Sequence, residues 1–352
     1  MFKNDYIALV FAHTLRFLGV DSVVISRKAV KKYLYSSKGN SIEMLHAIIN
    51  SLLLRRVKIC MEEVYGIPMG FYKGVLLLYD VKRCIEAKFH LMDMYEECTT
   101  DVTNNVISLF LKIYTRIPMI LLDAIIWELH HDEEKKKAVK QLAVLISTIR
   151  KRLTDLNAIF VSPPTELMNF MKEMNSAIEI DEGSLYKILD PSKTIILDPY
   201  ASEELSVQDV LENQYFIIGF LVDDKFPRPY ATYMLKLLRG IDFKRRSIKL
   251  NGSIIGVPKE INKIIDIILD VKLGGLMLED AIISNMSIDD KIRRIIYDIE
   301  KYIAEGKVID EQYIRRLSEF YNLDRDQFEK IYKRIRKLFS IAGQNIVGQF
   351  TS

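Results

Sequence analysis

The chain has 352 residues, 49% hydrophobic and 28% charged, with a formal net charge of +3. That balance excludes a disordered or fibrous chain, and the length predicts two or three domains. Apolar runs such as Ile117 to Ile126 fall far below the ~20 residues of a membrane span. The start, Met1-Phe2-Lys3-Asn4-Asp5, lacks the basic, apolar, small-residue order of a signal peptide, so a cytoplasmic protein is expected. Cys60, Cys84 and Cys98 are widely spaced without a CxxC pair, so neither a disulfide framework nor a zinc site is expected.

The first domain is expected over residues 1–112 as an α+β unit. Its pattern predicts helix over Tyr6–Leu18, strand over Ser22–Ile25, helix over Ile42–Leu54 and strand over Val75–Tyr79. A long helix is predicted over Asp80–Glu97 and another over Thr103–Tyr114. Gly66, Pro68, Gly70 and Gly74 read as turn markers.

Strands and helices then alternate, which predicts an open α/β sheet. Ile117–Asp123, Asn157–Val161, Tyr215–Asp224 and Lys244–Leu250 read as strands, and Thr194–Glu203 as strand then loop. Helices are predicted from the His130–Glu134 run to Leu153, over Pro164–Met174, over Tyr230–Arg239 and from Pro258, with an acidic turn at Glu179–Glu182. In open α/β sheets ligands sit beyond the carboxyl ends of the strands, where Asp123, Asp198 and Asp223 fall. The run His130-His131-Asp132-Glu133-Glu134 reads as a helix start rather than a metal site, because neighbouring histidines do not share a helix face.

The stretch from Tyr215 to Gly275 concentrates the chemistry. Between Lys225 and Lys263 the sequence holds ten Lys or Arg against two acids, Asp242 and Glu260. A local cationic excess beside a glycine-bearing loop points to a polyanion. Gly219, inside a buried strand, suggests the close approach of a ligand or another backbone.

Ile217-Ile218-Gly219-Phe220-Leu221-Val222-Asp223 is similar to the Ile-Gly-Gly-[Ile/Leu]-Val-Asp signature of the tRNA methyltransferases that modify N1 of the purine at nucleotide nine, with Phe220 in place of the second glycine. Ser253-Ile254-Ile255-Gly256-Val257-Pro258-Lys259-Glu260-Ile261-Asn262-Lys263-Ile264-Ile265 resembles the knot segment of the archaeal members. Thr194–Glu203 resembles the family's cofactor-side loop, and Gln141 and Arg150 match the spacing of its helical glutamine and arginine.

The resemblance implies a SPOUT-type, trefoil-knotted α/β domain over residues 113–283 that binds S-adenosylmethionine. It implies Asp223 as catalytic residue and Leu197, Gly219, Asp223, Leu250, Ser253, Gly256, Val257, Val271 and Gly274 around the cofactor. It also implies a monomer whose flanking domains bind tRNA. Candidate RNA contacts are Gln141, Arg150, Lys225, Arg228, Lys244, Arg245 and Arg246. Lys333, Arg334 and Lys337 join them from a basic helical domain expected over residues 284–352, and the first domain is a further candidate. Two rival readings stand beside this one: a SPOUT methyltransferase of another RNA, and a non-catalytic RNA-binding protein, suggested by Phe220.

Overall fold

The computed structural model describes residues 5–37, 39–222 and 227–341. They fall into two compact units, Met1–Ile188 and Leu189–Ser352.

The first unit begins with α1 (Tyr6–Phe17), β1 (Ser22–Ile25), α2 (Arg27–Ala29) and α3 (Ser41–Leu53). It continues with β2 (Val57–Tyr72), β3 (Val75–Asp80), β4 (Ile85–Asp93) and α4 (Thr103–Ile113). The four strands close into a small barrel in the order β1-β3-β2-β4. β1 runs parallel to β3 and β4, while β2 runs antiparallel to both. Val24, Leu78 and Ala87 are buried together, with Val64 and Leu76 packed against them.

Two sequence expectations fail here. Asp80–Glu97 is not a helix: it holds the end of β3, a turn and β4. Its Ile85, Ala87, Phe89 and Leu91 repeat at every second residue, the strand period, and β4 finds partners in β2 and β1. Gly66, Pro68 and Gly70 are not separate turns but interior positions of the long β2. The strand slips register between Met61 and Val64 and between Pro68 and Gly70, so these residues mark bends that wrap β2 around the barrel. A Cβ on Gly66 would stand 2.6 Å from Leu78 Cβ and 2.9 Å from the Tyr79 carbonyl oxygen. Cys60 and Cys98 are disulfide-bonded, contrary to the expectation from their spacing, because β4 returns the chain alongside β2.

The unit ends with β5 (Met119–Asp123), α5 (Asp132–Arg152), β6 (Ala158–Val161), α6 (Thr165–Glu173) and β7 (Glu179–Asp181). β5, β6 and β7 are parallel; the predicted acidic turn is therefore the short strand β7. Every residue of β5 and β6 is buried, which is why both read as unbroken apolar runs. Buried side chains of α3 satisfy the carboxyl end of α5: His46 Nε2 lies 2.9 Å from the Leu153 carbonyl oxygen, and Asn50 Nδ2 donates to the Arg150 oxygen at 2.9 Å. Burial lowers the His46 pKa, which favours the neutral imidazole there.

The second unit contains β8 (Thr194–Leu197), α7 (Val207–Glu212), β9 (Tyr215–Gly219), α8 (Ala231–Arg239) and β10 (Lys244–Arg246). Then follow α9 (Ile261–Lys272), α10 (Leu278–Asn285), α11 (Ile288–Ala304), α12 (Glu311–Phe320) and α13 (Arg325–Ile341). The three strands lie in the order β10-β8-β9, all parallel. α9 starts at Ile261 rather than at Pro258, with Glu260 as its N-cap. Ile292, Ile295 and Ile299 of α11 are buried with Ile314 of α12 and Ile331 and Ile335 of α13, the apolar stripes that their helical spacing predicts. No described helix is long and apolar enough to cross a membrane.

Candidate functional site

Adjacent register positions bring the carboxyl ends of β10, β8 and β9 side by side: Arg246 pairs with Leu197, and Leu197 with Ile218. Beyond them opens a cleft of about 140 Å³, at the carboxyl ends of the strands, where such sheets bind ligands. Leu197, Asp198 and Tyr200 line it at the end of β8, Ile218 and Gly219 at the end of β9, and Arg246 at the end of β10. Arg228 and Thr232 close one side at the start of α8; Ile254, Val257, Lys259 and Ile264 close the other. Leu197, Gly219 and Val257 are thus brought together, as are Arg228 and Arg246.

Phe220 takes no part in the lining among the described residues. Its side chain is fully buried, so the aromatic ring occupies the core, while Gly219 beside it meets the cleft. The signature's departure at this position therefore places no bulk in the described cleft wall.

The remaining sequence candidates occupy other places. Asp223 and Lys225 lie outside the described residues. Leu250 is fully buried and exchanges two backbone hydrogen bonds with Ser253, at 2.9 and 3.1 Å. They close a tight turn in which Asn251 and Gly252 both have positive φ, 46° and 77°, the geometry that Asn-Gly favours. Gly256 packs against α11: a Cβ there would stand 2.5 Å from Arg294 Cβ. Val271 is buried within α9. Gly274 lies against the Asp270 carbonyl oxygen, 2.5 Å from where a Cβ would sit. None of these five residues is among the described lining of the cleft.

Several candidate cations are already held by carboxylates. Arg245 Nη1 donates to Asp198 Oδ2 at 2.8 Å, and its guanidinium lies 4.7 Å from the Tyr233 ring centroid. Arg246 pairs with Glu203 and with Asp209, the latter at 3.1 Å. Burial opposes ionisation of Asp209, but hydrogen bonds from Ser206 and the Arg246 guanidinium outweigh it and hold the carboxyl below its ordinary range. In the first unit Arg150 makes a two-pronged pair with Asp155, both bonds 2.8 Å, and Gln141 is half-buried on α5. Lys244, Lys333, Arg334 and Lys337 are exposed.

Tyr200, Lys259 and Ile264 fall within the two segments that resemble the family's cofactor side but were not singled out as cofactor residues, and Thr232 was missed. The signal available for them was position: each follows a strand end or opens a helix beside one, where such sheets bind ligands.

No protein-family model matches the chain. The tRNA (adenine(9)-N1)-methyltransferase of Sulfolobus acidocaldarius is 32% identical over 307 residues, which span 87% of this chain and 92% of that relative. The chain belongs to the tRNA (purine-9, N1)-methyltransferase family. A second member, the tRNA (guanine(9)-/adenine(9)-N1)-methyltransferase of Thermococcus kodakarensis, is 25% identical over 232 residues, 62% of each chain. The crystal structure of Sulfolobus acidocaldarius Trm10 in complex with S-adenosylhomocysteine superposes with a TM-score of 0.68. It is 26% identical, and the match covers 93% of this chain and 98% of that one. The family fold therefore extends over nearly the whole chain, including the N-terminal barrel in which no sequence motif was recognised.

Proposed function

We infer that this protein is an S-adenosylmethionine-dependent tRNA methyltransferase acting on N1 of the purine at nucleotide nine. The observation that carries the reading is the cleft, formed in a chain of this family, on which three parallel strand ends and the segment before α9 converge. Adenine, guanine or both are the candidate bases, since the two named relatives differ on this point.

The cleft suits the cofactor. Leu197, Ile218, Ile254 and Val257 offer an apolar wall for an adenine ring, and Gly219 lets backbone approach without an intervening side chain. Thr232, Arg228 and Lys259 supply polar and cationic groups around it. When bound, S-adenosylmethionine supplies a methyl group already activated by its sulfonium. The protein's contribution is then to orient the purine, which accounts for most of the acceleration expected.

Asp223 is the proposed catalytic residue, on its match to the family signature. Guanine carries a proton on N1 at neutral pH, and a carboxylate can take it as general base. Adenine N1 presents a lone pair, so for adenine the same group acts by electrostatics and positioning. The exposed Lys244, Lys333, Arg334 and Lys337 are the proposed phosphate contacts. We further read the chain as a cytoplasmic monomer with a knotted domain over residues 113–283, flanked by tRNA-binding domains over 1–112 and 284–352.

The test is incubation with unmodified tRNA transcripts and labelled S-adenosylmethionine, followed by mapping of the product nucleoside. An N1-methylpurine at nucleotide nine is expected. Methylation confined to another position or another RNA would overturn the reading.

A further inference from the structure

The loop between β10 and α9 forms one wall of the cleft, through Ile254 and Val257. Between those two residues, Gly256 has φ +76° and is buried. Besides the 2.5 Å to Arg294 Cβ, a Cβ there would stand 2.8 Å from the Asp290 carbonyl oxygen. The loop backbone therefore rests directly on α11.

Arg294 also holds the loop by hydrogen bonds. Its side chain is 1% exposed, and Nη1 donates to the carbonyl oxygens of Ser253 and Ile255 at 3.4 and 3.3 Å. Nε donates to Asp298 Oδ1 at 3.0 Å. The other Asp298 oxygen accepts the Tyr321 hydroxyl, and the Asp298 backbone oxygen accepts the Tyr313 hydroxyl at 3.2 Å. One turn earlier, Asp290 takes the Ser287 hydroxyl at 2.6 Å and Lys263 of α9 at 3.4 Å. The guanidinium is thus aimed by a carboxylate that the Tyr321 hydroxyl fixes in turn. A buried network satisfied to this degree is rigid, and a planar fork with several donors is suited to bridging two carbonyls.

We propose that Arg294 is a positioning residue for methyl transfer: from α11 it fixes the 253–257 loop in the shape that binds the cofactor, which makes the C-terminal helices part of the cleft's support. The proposal rests on the reading of the cleft as the S-adenosylmethionine site. Arg294 itself does not line the cleft among the described residues, so it acts through the loop.

Calorimetry with S-adenosylhomocysteine, tRNA-binding measurements and steady-state kinetics on the full chain test this. Gly256→Ala and Arg294→Met should each weaken S-adenosylhomocysteine binding tenfold or more, while tRNA affinity changes less than twofold. The kinetic loss should fall on the KM for S-adenosylmethionine rather than on kcat. Arg294→Lys, which keeps the charge and N–H donors on a single nitrogen, should recover part of the affinity. If Arg294→Met does not fold, Tyr321→Phe, which removes only the hydroxyl on Asp298, should still raise that KM at least threefold. Unchanged cofactor affinity in folded Gly256→Ala and Tyr321→Phe would overturn the proposal. A wild-type protein that binds no S-adenosylhomocysteine would instead overturn the cofactor reading, and the positioning role with it.

Discussion

Arg245 of β10 donates to the carboxylate of Asp198, the residue that follows β8, at 2.8 Å, and that carboxylate is almost fully buried. The same carboxylate accepts the Tyr200 backbone N–H at 3.0 Å. Arg245 thus fixes the loop after β8 that lines the cleft. Removing it would leave a buried charge short of its partner, which is costly. Arg245→Ala is expected to lower stability by roughly 2–3 kcal/mol, less than for a fully enclosed pair because the arginine is partly exposed. Urea denaturation measures it; a loss under about 0.5 kcal/mol, the scale of a surface pair, would show the pair to be energetically idle.

Lys244, one residue earlier, is exposed and should behave differently. Lys244→Ala is expected to flatten the dependence of log Kd for tRNA on log salt by about 0.7 to 0.9, the value for one phosphate contact. Arg245→Ala should flatten it by less than half as much, since its charge is already neutralised by Asp198. Fluorescence anisotropy across a salt series decides this, and equal slopes for both variants would return Arg245 to the RNA surface.

At the end of β9, Gly219 meets the cleft while Phe216, Ile217 and Ile218 before it are buried. A long side chain at 219 would enter the cleft that this residue lines. Gly219→Arg is expected to weaken S-adenosylmethionine binding at least tenfold with the circular dichroism spectrum unchanged. Normal affinity in the folded variant would remove Gly219 from the site.

Lys272, at the end of α9, donates to three backbone oxygens around the end of α7: Val210 at 2.9 Å, Leu211 at 2.6 Å and Asn213 at 2.7 Å. Its pKa is lowered by burial and then by Lys193, yet the ammonium caps carbonyls that the short helix leaves open. Lys272→Met should cost roughly 2–3 kcal/mol because those oxygens lose their donor. Thermal unfolding gives the number, and a change below 0.5 kcal/mol would mean that water replaces the ammonium.

Asp93, at the end of β4, is expected to contribute to acid stability. Burial opposes its ionisation, but the Tyr95 N–H and the Lys32 and Lys28 ammoniums outweigh this and hold the carboxyl at about 2. A depressed carboxylate pKa contributes stability that is complete above the unfolded value, about 3.9, and vanishes as pH falls through the folded one. Asp93→Asn should therefore lower the Tm at neutral pH, with the gap to wild type closing between pH ~4 and ~2. A gap that stays constant over that window would separate the ion pairs from acid stability.

The sequence by itself determined the strand–helix alternation from β5 to α9, the helical stripes of the C-terminal region and the family. Buried parallel strands are apolar on both faces, so β5, β6 and β9 announce themselves locally, and strand ends mark where a ligand sits. Folding decided the rest, because a local pattern states which face is apolar but not what covers it. Gly66, Pro68 and Gly70 resemble turns until β2 is seen bending around a barrel. Arg245 and Arg246 look like phosphate ligands until β10 lies beside β8 and sets them against Asp198, Glu203 and Asp209. Gly256 matches a cofactor segment in the sequence, yet its missing side chain is accounted for by Arg294, 38 residues later in the chain.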